Sequence, residues 1–469
     1  MDAVPITHAQ KFIYQVLNQL GPRARWLQFA VCVRISGPAD VARFERALAG
    51  LVTRYPTLCS RLELSGGELL LREDGPKPSL DVIDVSEHTD RQVDAALSSR
   101  ADEPLDLFQG GSFRVVLGRR DPGEGFLMLV AHHFFFDLPC IQTLLTEYLD
   151  LLQTDRVQLT PAPWSNGDRG YLAFARQEQE MIRDGSFARR AQYWEDYLDR
   201  VDPALHLPDR PADPALQSWV SIPFSLSPES FRAFSYRSRR LGVTRFAFTV
   251  ASLFQALRDV TGQSDLSMSV VSNNRRPPFE RTIGRFAEMF VLSQRVPPGG
   301  LGDDAIRELY ADIKKGMSTY LPSAYLEARL DWLRKRKARG YSMTDVDLNY
   351  LPVATRYGRP ASPPGVSQPS PDTRPSSGTS GPGPFTGYQV SHFPLTARAY
   401  ATVPYYGVVL SWLVRPGVNS LSGFLRYESG LVTPQVAQAT AGAFVDALSG
   451  GTGTAPAGAF VPEGVEVPG

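Results

Sequence analysis

The chain has 469 residues, 43% hydrophobic and 21% charged, which excludes wholesale disorder and exceeds one ordinary domain core, so two or three lobes are expected. Its 49 basic and 49 acidic residues cancel, leaving no general attraction for nucleic acid or an anionic membrane surface. No apolar run approaches the roughly 20 residues of a membrane span, the start lacks the pattern of a secretory signal, and Cys32, Cys59 and Cys140 form no Cys-x-x-Cys pair; a reduced, cytoplasmic protein without a cysteine-based metal site is expected.

Thr7-His8-Ala9-Gln10 reads as a capping box, with Ile13, Val16, Leu17 and Leu20 on one helical face and Gly21-Pro22 as the stop. Leu27 to Ser36 is a strand candidate. Val41, Phe44, Leu48, Leu51, Val52 and Tyr55 repeat at helical spacing until Pro56. Gly125 to Val130 is a continuous apolar strand, expected to be buried on both faces. It runs through His132-His133-Phe134-Phe135-Phe136-Asp137 into an amphipathic helix marked by Leu138, Ile141, Leu144, Leu145, Tyr148, Leu149 and Leu152. The loop Thr160 to Asn166 divides the chain into lobes at 1–165 and 166–449. The second lobe offers strands at Ile222–Leu226, Leu266–Val271, Ser342–Leu351 and Tyr405–Val414, and helices at Glu229–Leu241 and Thr244–Val260. A flexible insertion rich in Pro, Ser and Gly is expected at 356–387, and a flexible tail at 450–469.

The loop His132 to Asp137 carries the sharpest chemical signal. A closed zinc site is a poor fit, because neighbouring side chains on an extended chain point to opposite faces and no further His or Cys lies nearby. A serine nucleophile lacks its Gly-x-Ser-x-Gly elbow. Attack on an already activated thioester needs no covalent nucleophile, only one imidazole to accept a proton from an amine or hydroxyl, or to hold it in line. Two buried histidines without chemistry are the alternative. Cys140, at the start of the helix, reads as a small core residue. The basic run Arg334 to Arg339 reads as a solvated face, and less often as a patch for an acidic partner.

An ordered series of segments resembles the condensation domains of nonribosomal peptide synthetases, within the chloramphenicol-acetyltransferase-like superfamily. His132, His133 and Asp137 match the His-His-x-x-x-Asp-Gly motif. Pro5 to Gln10, Arg54 to Leu62, Tyr171 to Gln177, Tyr193-Trp194, Leu205 to Pro211, Asn274-Arg275 and Ile283-Gly284-Arg285-Phe286 resemble further family elements, in family order. The resemblance runs from residue 5 to about 295 and more loosely to about 445. It implies an α/β fold of two acetyltransferase-like lobes in a V-shaped pseudo-dimer with a central tunnel. It makes His133 the residue acting on the acceptor nucleophile, and His132 and Asp137 structural. Asp137 would pair with Arg275, Arg276 being the alternative. Phe136, Leu138 and Glu288 would line the tunnel. Leu138 stands where the family has glycine, Glu288 where it has asparagine, and Cys59 where it has arginine.

The implied function is that of a free-standing condensation enzyme in natural-product biosynthesis, such as antibiotic assembly. It would move an acyl or aminoacyl group from the phosphopantetheine thioester of a carrier protein to an amine, with no bound cofactor or metal. The chain shows no adenylation signature and no carrier-domain serine, so carrier proteins are expected as partners. A coenzyme A- or carrier-dependent acyltransferase forming an ester with an alcohol is the alternative, and an inactive recruitment module a second. An epimerase relative would need its own catalytic glutamate, which has no candidate here.

Overall fold

The computed structural model describes residues 3–20, 27–153, 169–199, 201–209, 219–319, 321–339, 341–351, 388–395 and 407–450. The insertion expected at 356–387, the loop Thr160 to Asn166 and the tail beyond 450 lie outside the described residues. In chain order the elements are β1 (Val4–Pro5), α1 (His8–Leu20), β2 (Gln28–Ser36), α2 (Val41–Arg54), β3 (Arg61–Ser65), β4 (Glu68–Arg72), β5 (Leu80–Asp84), α3 (Asp90–Asp102), β6 (Phe113–Asp121), β7 (Glu124–His132), α4 (Leu138–Gln153) and α5 (Tyr171–Arg183). They continue with α6 (Ser186–Leu198), β8 (Trp219–Ser225), α7 (Pro228–Leu241), α8 (Arg245–Thr261), β9 (Asp265–Ser272), β10 (Glu288–Arg295), α9 (Asp303–Ser318), α10 (Ser323–Arg329), α11 (Asp331–Ala338) and β11 (Val346–Tyr350). The last are β12 (Gln389–His392), β13 (Leu410–Pro416), β14 (Leu421–Glu428) and α12 (Pro434–Ser449).

Two compact units result. The first takes the described residues up to Asp184, Arg275–Phe286 and β12; the second takes Gly185–Asn274 and the described residues of 287–351 and 407–450. A linear division at 165 and 166 therefore does not describe them. Helix α5 belongs to the first unit because Tyr171 has 1% exposed surface there and its hydroxyl donates to the Arg285 carbonyl at 2.8 Å.

The first unit is built on a sheet in the order β12-β2-β7-β6-β5, antiparallel except for β5 beside β6. Its middle strand β7 shows why the apolar run reads as doubly buried. Leu127, Leu129 and Ala131 face the core formed with Phe44, Leu48 and Leu51 of α2 and Leu144 and Tyr148 of α4. Phe126, Met128 and Val130 face Val93, Leu97 and Ala101 of α3. None of the residues from Phe126 to Ala131 has exposed surface. Full burial of each large apolar side chain contributes about 1.5–3 kcal/mol, and ladders on both sides satisfy the backbone. The motif loop thus leaves from the end of a rigid strand. Helix α1 starts on the expected capping box: Gln10 N donates to Thr7 Oγ1 at 3.2 Å, and Thr7 N to Gln10 Oε1 at 3.1 Å.

The second unit is a mixed sheet in the order β10-β9-β11-β13-β14-β8, with β11 parallel to both neighbours. Helices α8 and α12 cover one face. Phe444 of α12 meets Trp412 at 4.5 Å and Phe224 at 5.4 Å between ring centroids. Among the described residues no helix is long and apolar enough to cross a membrane.

Candidate active site

Strand β7 ends at His132, and the chain turns back on that residue. Phe135 N and Phe136 N donate to the His132 carbonyl at 3.0 and 3.1 Å, while His132 N reaches the Ser112 carbonyl at 3.1 Å. The His132 ring is 3% exposed, and its Nδ1 accepts from Phe134 N at 3.1 Å. Burial drives its pKa down to about 3, so the ring is neutral and shapes the loop. Phe134, Phe135 and Phe136 all sit in the core. Phe136, expected along a substrate path, has no exposed surface; its ring packs against Phe113 at 6.2 Å. The turn on His132 sends this ring inward and leaves its carbonyl beside His133.

His133 points elsewhere. Its backbone N donates to the Leu27 carbonyl at 2.6 Å, its ring edge meets Phe29 at 4.4 Å, and part of its surface stays open. Nδ1 lies 3.0 Å from the Phe136 carbonyl. A carbonyl only accepts, so Nδ1 carries the hydrogen and Nε2 carries the lone pair. Burial first, then the nearby charge of Arg285, push the pKa down to about 3, against the opposing pull of the Phe136 carbonyl and Asp137. The imidazole is therefore neutral at physiological pH, with Nε2 as an acceptor.

Asp137 closes the loop, and its carboxylate is used completely. Arg275 Nη1 donates to Oδ2 at 2.9 Å and Nη2 to Oδ1 at 2.8 Å; Phe286 N donates to Oδ2 at 3.1 Å and Cys140 N to Oδ1 at 3.3 Å. The last contact caps α4. Burial works to raise this carboxyl, but the charge and hydrogen bonds of Arg275 prevail and hold it below the usual range. Arg275 also donates from Nε to the Thr282 carbonyl at 3.2 Å and from Nη2 to the Gly284 carbonyl at 3.1 Å, with its guanidinium 4.7 Å from the Phe286 ring centroid. A planar fork suits this multiple engagement, which a lysine could not reproduce.

Cys140 joins the same clamp. Its sulfur takes Arg275 Nη2 at 2.9 Å and Gly284 N at 3.2 Å, and lies 3.1 Å from the Gly284 carbonyl. Burial, reinforced by Asp137, pushes the thiol up to about 12, so it is no nucleophile. Gly284 has a steric reason to be glycine: a Cβ there would fall 2.1 Å from Tyr171 Cδ2. The segment Ile283 to Phe286 is thus stitched to α4 by Asp137 and to α5 by Tyr171. Sequence reasoning missed Arg285, which is 3% exposed and whose charge reaches both His133 and Asp137. Its only sequence signal is a cation at the variable position of Ile-Gly-x-Phe.

Leu138, the first residue of α4, is half-buried against the core of the first unit. Glu288 lies in the second unit, at the start of β10. It is 7% exposed and accepts from Ser323 Oγ at 3.1 Å and from the amides of Met289 and Ser323 at 3.3 and 3.4 Å, so it anchors the start of α10. Among the described residues no group of three or more His, Cys, Asp or Glu is placed to hold a metal ion.

The family model described as "Condensation domain" matches residues 1–350. Cyclosporin synthetase simA of Tolypocladium inflatum is 27% identical over 284 residues, 60% of this chain and 2% of that protein. The phosphinothricin tripeptide synthetase PhsC of Streptomyces viridochromogenes is 27% identical over 332 residues, 67% of this chain and 30% of that protein. The chain thus spans well under half the length of these relatives. Among solved structures, the condensation domain of the monacolin K polyketide synthase MokA superposes with a TM-score of 0.74 at 14% identity, covering 96% of this chain and 97% of that one. The X-domain from teicoplanin biosynthesis gives 0.71 at 16%, covering 96% and 95%. SgcC5 of Streptomyces globisporus, solved with a naphthyl-ethanediol and sucrose, gives 0.67 at 20%, covering 95% and 98%. With the family model covering most of its length and the helix-and-sheet fold of the condensation domains, this chain belongs to the condensation-domain family.

Proposed function

We propose that the chain transfers an acyl or aminoacyl group from a pantetheine thioester to an amine, forming an amide, with His133 acting on the amine. The observation that supports this reading most is the state of His133. Its Nδ1–H is held by the Phe136 carbonyl, the ring is neutral, and Nε2 is left as an acceptor on a loop fixed by the Asp137–Arg275 pair. An amine N–H donates to Nε2, and the nitrogen lone pair attacks the thioester carbonyl carbon. The C–N bond forms, the C–S bond breaks, and the sulfur leaves as a thiolate that ends with the proton released from nitrogen. A weakly basic imidazole suits orientation of the amine and acceptance of its proton only after the C–N bond has made that nitrogen acidic. His132 and Asp137 hold the loop, and the exposed part of Leu138 helps select the donor. A carrier protein presents the thioester, in keeping with the peptide synthetases to which the chain is similar. An alcohol acceptor, giving an ester, is the second reading, favoured by the diol present in the SgcC5 structure.

The test incubates the purified chain with acyl thioesters of N-acetylcysteamine, coenzyme A and carrier proteins against panels of amines and alcohols, read by mass spectrometry. Amide product that disappears in His133→Ala supports the reading. Ester product alone moves it to the alcohol, and no product with any donor removes it.

A further inference from the structure

Two segments distant in sequence converge on the motif loop within the first unit. At the start of α1, Gln10 has no exposed surface. Its Oε1 accepts from Thr7 N at 3.1 Å, which leaves Nε2 to donate to the Phe134 carbonyl at 3.4 Å. At the start of α5, the Tyr171 hydroxyl donates to the Arg285 carbonyl at 2.8 Å and lies 3.2 Å from Thr7 Oγ1. Its one hydrogen is taken by a carbonyl that only accepts, so the Thr7 hydroxyl is the donor to Tyr171. Thr7 Oγ1 accepts in turn from Gln10 N at 3.2 Å.

These bonds form a closed path. From the Phe134 carbonyl it runs through Gln10, Thr7 and Tyr171 to the Arg285 carbonyl. The Arg285 carbonyl and the Phe286 N–H are the two ends of one planar peptide group, and Phe286 N returns the path to the loop by donating to Asp137 Oδ2 at 3.1 Å. Thr7, Gln10, Tyr171, Phe286 and Asp137 each have at most 1% of their surface exposed. Between the two points where the path meets the loop lies Phe136, whose carbonyl holds the Nδ1 hydrogen of His133.

We propose that Thr7, Gln10 and Tyr171 are positioning residues for His133: they hold both ends of the segment that carries the Phe136 carbonyl, and through that carbonyl they fix the imidazole. The proposal rests on the reading of His133 as the residue that acts on the amine. None of the three touches a reacting atom. They matter because a shift of the loop turns Nε2 out of line, and a misplacement of about 1 Å can cost on the order of a hundredfold in rate. Buried hydrogen bonds that polarise one another resist such a shift, since breaking one link leaves a buried polar group unmet. The sequence segments Pro5 to Gln10 and Tyr171 to Gln177 thereby share one task at the site.

The experiment compares Tyr171→Phe with Tyr148→Phe in the full chain. Each variant removes one buried tyrosine hydroxyl from the same core, that of Tyr148 donating to the Phe44 carbonyl at 2.7 Å, but only Tyr171 belongs to the closed path. Each is read by amide-forming kinetics and by nitrogen NMR of the histidine rings, with His133 assigned from its loss in His133→Ala. Tyr171→Phe is expected to lower kcat about tenfold to a hundredfold with KM little changed, and to shift or broaden the His133 ring resonances. Tyr148→Phe keeps the wild-type kcat and resonances. Thr7→Val follows Tyr171→Phe, whereas Thr7→Ser, which retains the hydroxyl, follows the wild type. Equal losses of kcat in the two tyrosine variants, an unchanged kcat in Tyr171→Phe, or wild-type His133 resonances in Tyr171→Phe overturns the proposal. If the wild type forms no amide with any donor, the reaction reading falls, and the His133 resonances alone decide whether the path holds the ring.

Discussion

Arg275 reaches across 138 residues of sequence to set both terminal nitrogens on the two carboxylate oxygens of Asp137, at 2.8 and 2.9 Å. The pair is almost wholly buried, with 9% and 1% of the side-chain surfaces exposed. It joins the start of α4 to the segment Arg275–Phe286 and so sets the shape of the loop that carries His133.

Removing one member leaves the other charge stranded. Asp137→Ala is expected to cost about 3–5 kcal/mol of stability. Arg275→Lys also loses stability, because an ammonium cannot serve Asp137, Thr282 and Gly284 together. Chemical denaturation measures both; variants that unfold with the wild-type midpoint would contradict a buried structural pair.

The fit of Gly284 against Tyr171 gives a second expectation. Gly284→Ala forces a methyl group into the ring, an overpacking worth about 1–3 kcal/mol. In the double variant with Tyr171→Ala the two losses are less than additive. Strict additivity in a double-mutant cycle would show that the contact is not what excludes a side chain.

How much of this was legible beforehand follows from what each signal depends on. The capping box at Thr7, the doubly buried β7, helix α4 and the His132-to-Asp137 loop are local patterns, and each appears where the pattern lies. The pairing of Asp137 with Arg275 was legible only through family resemblance, since no local rule joins residues so far apart. The expected strand start at Ser342 was too early, since β11 starts at Val346; the expected start at Tyr405 lies outside the described residues, and β13 begins at Leu410. Strands β3 to β5 carry weak alternation and stayed unassigned. The inward direction of the Phe136 ring is set by the turn on the His132 carbonyl, which composition does not encode. The basic run of α11 shows why charge runs are poor partner signals: Arg334 and Lys335 pair with Asp331, Arg336 with Asp345 and Lys337 with Glu327.

The buried His132 ring predicts a pH signature. Its pKa falls from 6.5 toward about 3 on folding, so between those values the unfolded chain binds the extra proton and acid favours unfolding. The carboxyls of part-buried Glu73 and buried Asp347, both raised to about 7 by desolvation, oppose this slope, so the comparison must be between variant and wild type. His132→Gln should gain relative stability as pH falls through that window, at about 1.4 kcal/mol per pH unit. A difference that does not change with pH would mean the ring is not held neutral by the fold.

The most direct measurement of the central claim is single-turnover amide formation by folded His133→Ala, with an acyl pantetheine thioester as donor and an amine as acceptor. If Nε2 of His133 orients the amine and takes its proton, the rate falls about 10²–10⁴-fold while the melting temperature stays within the range of ordinary part-exposed substitutions. A variant that folds like the wild type and forms amide at the wild-type rate would contradict the account.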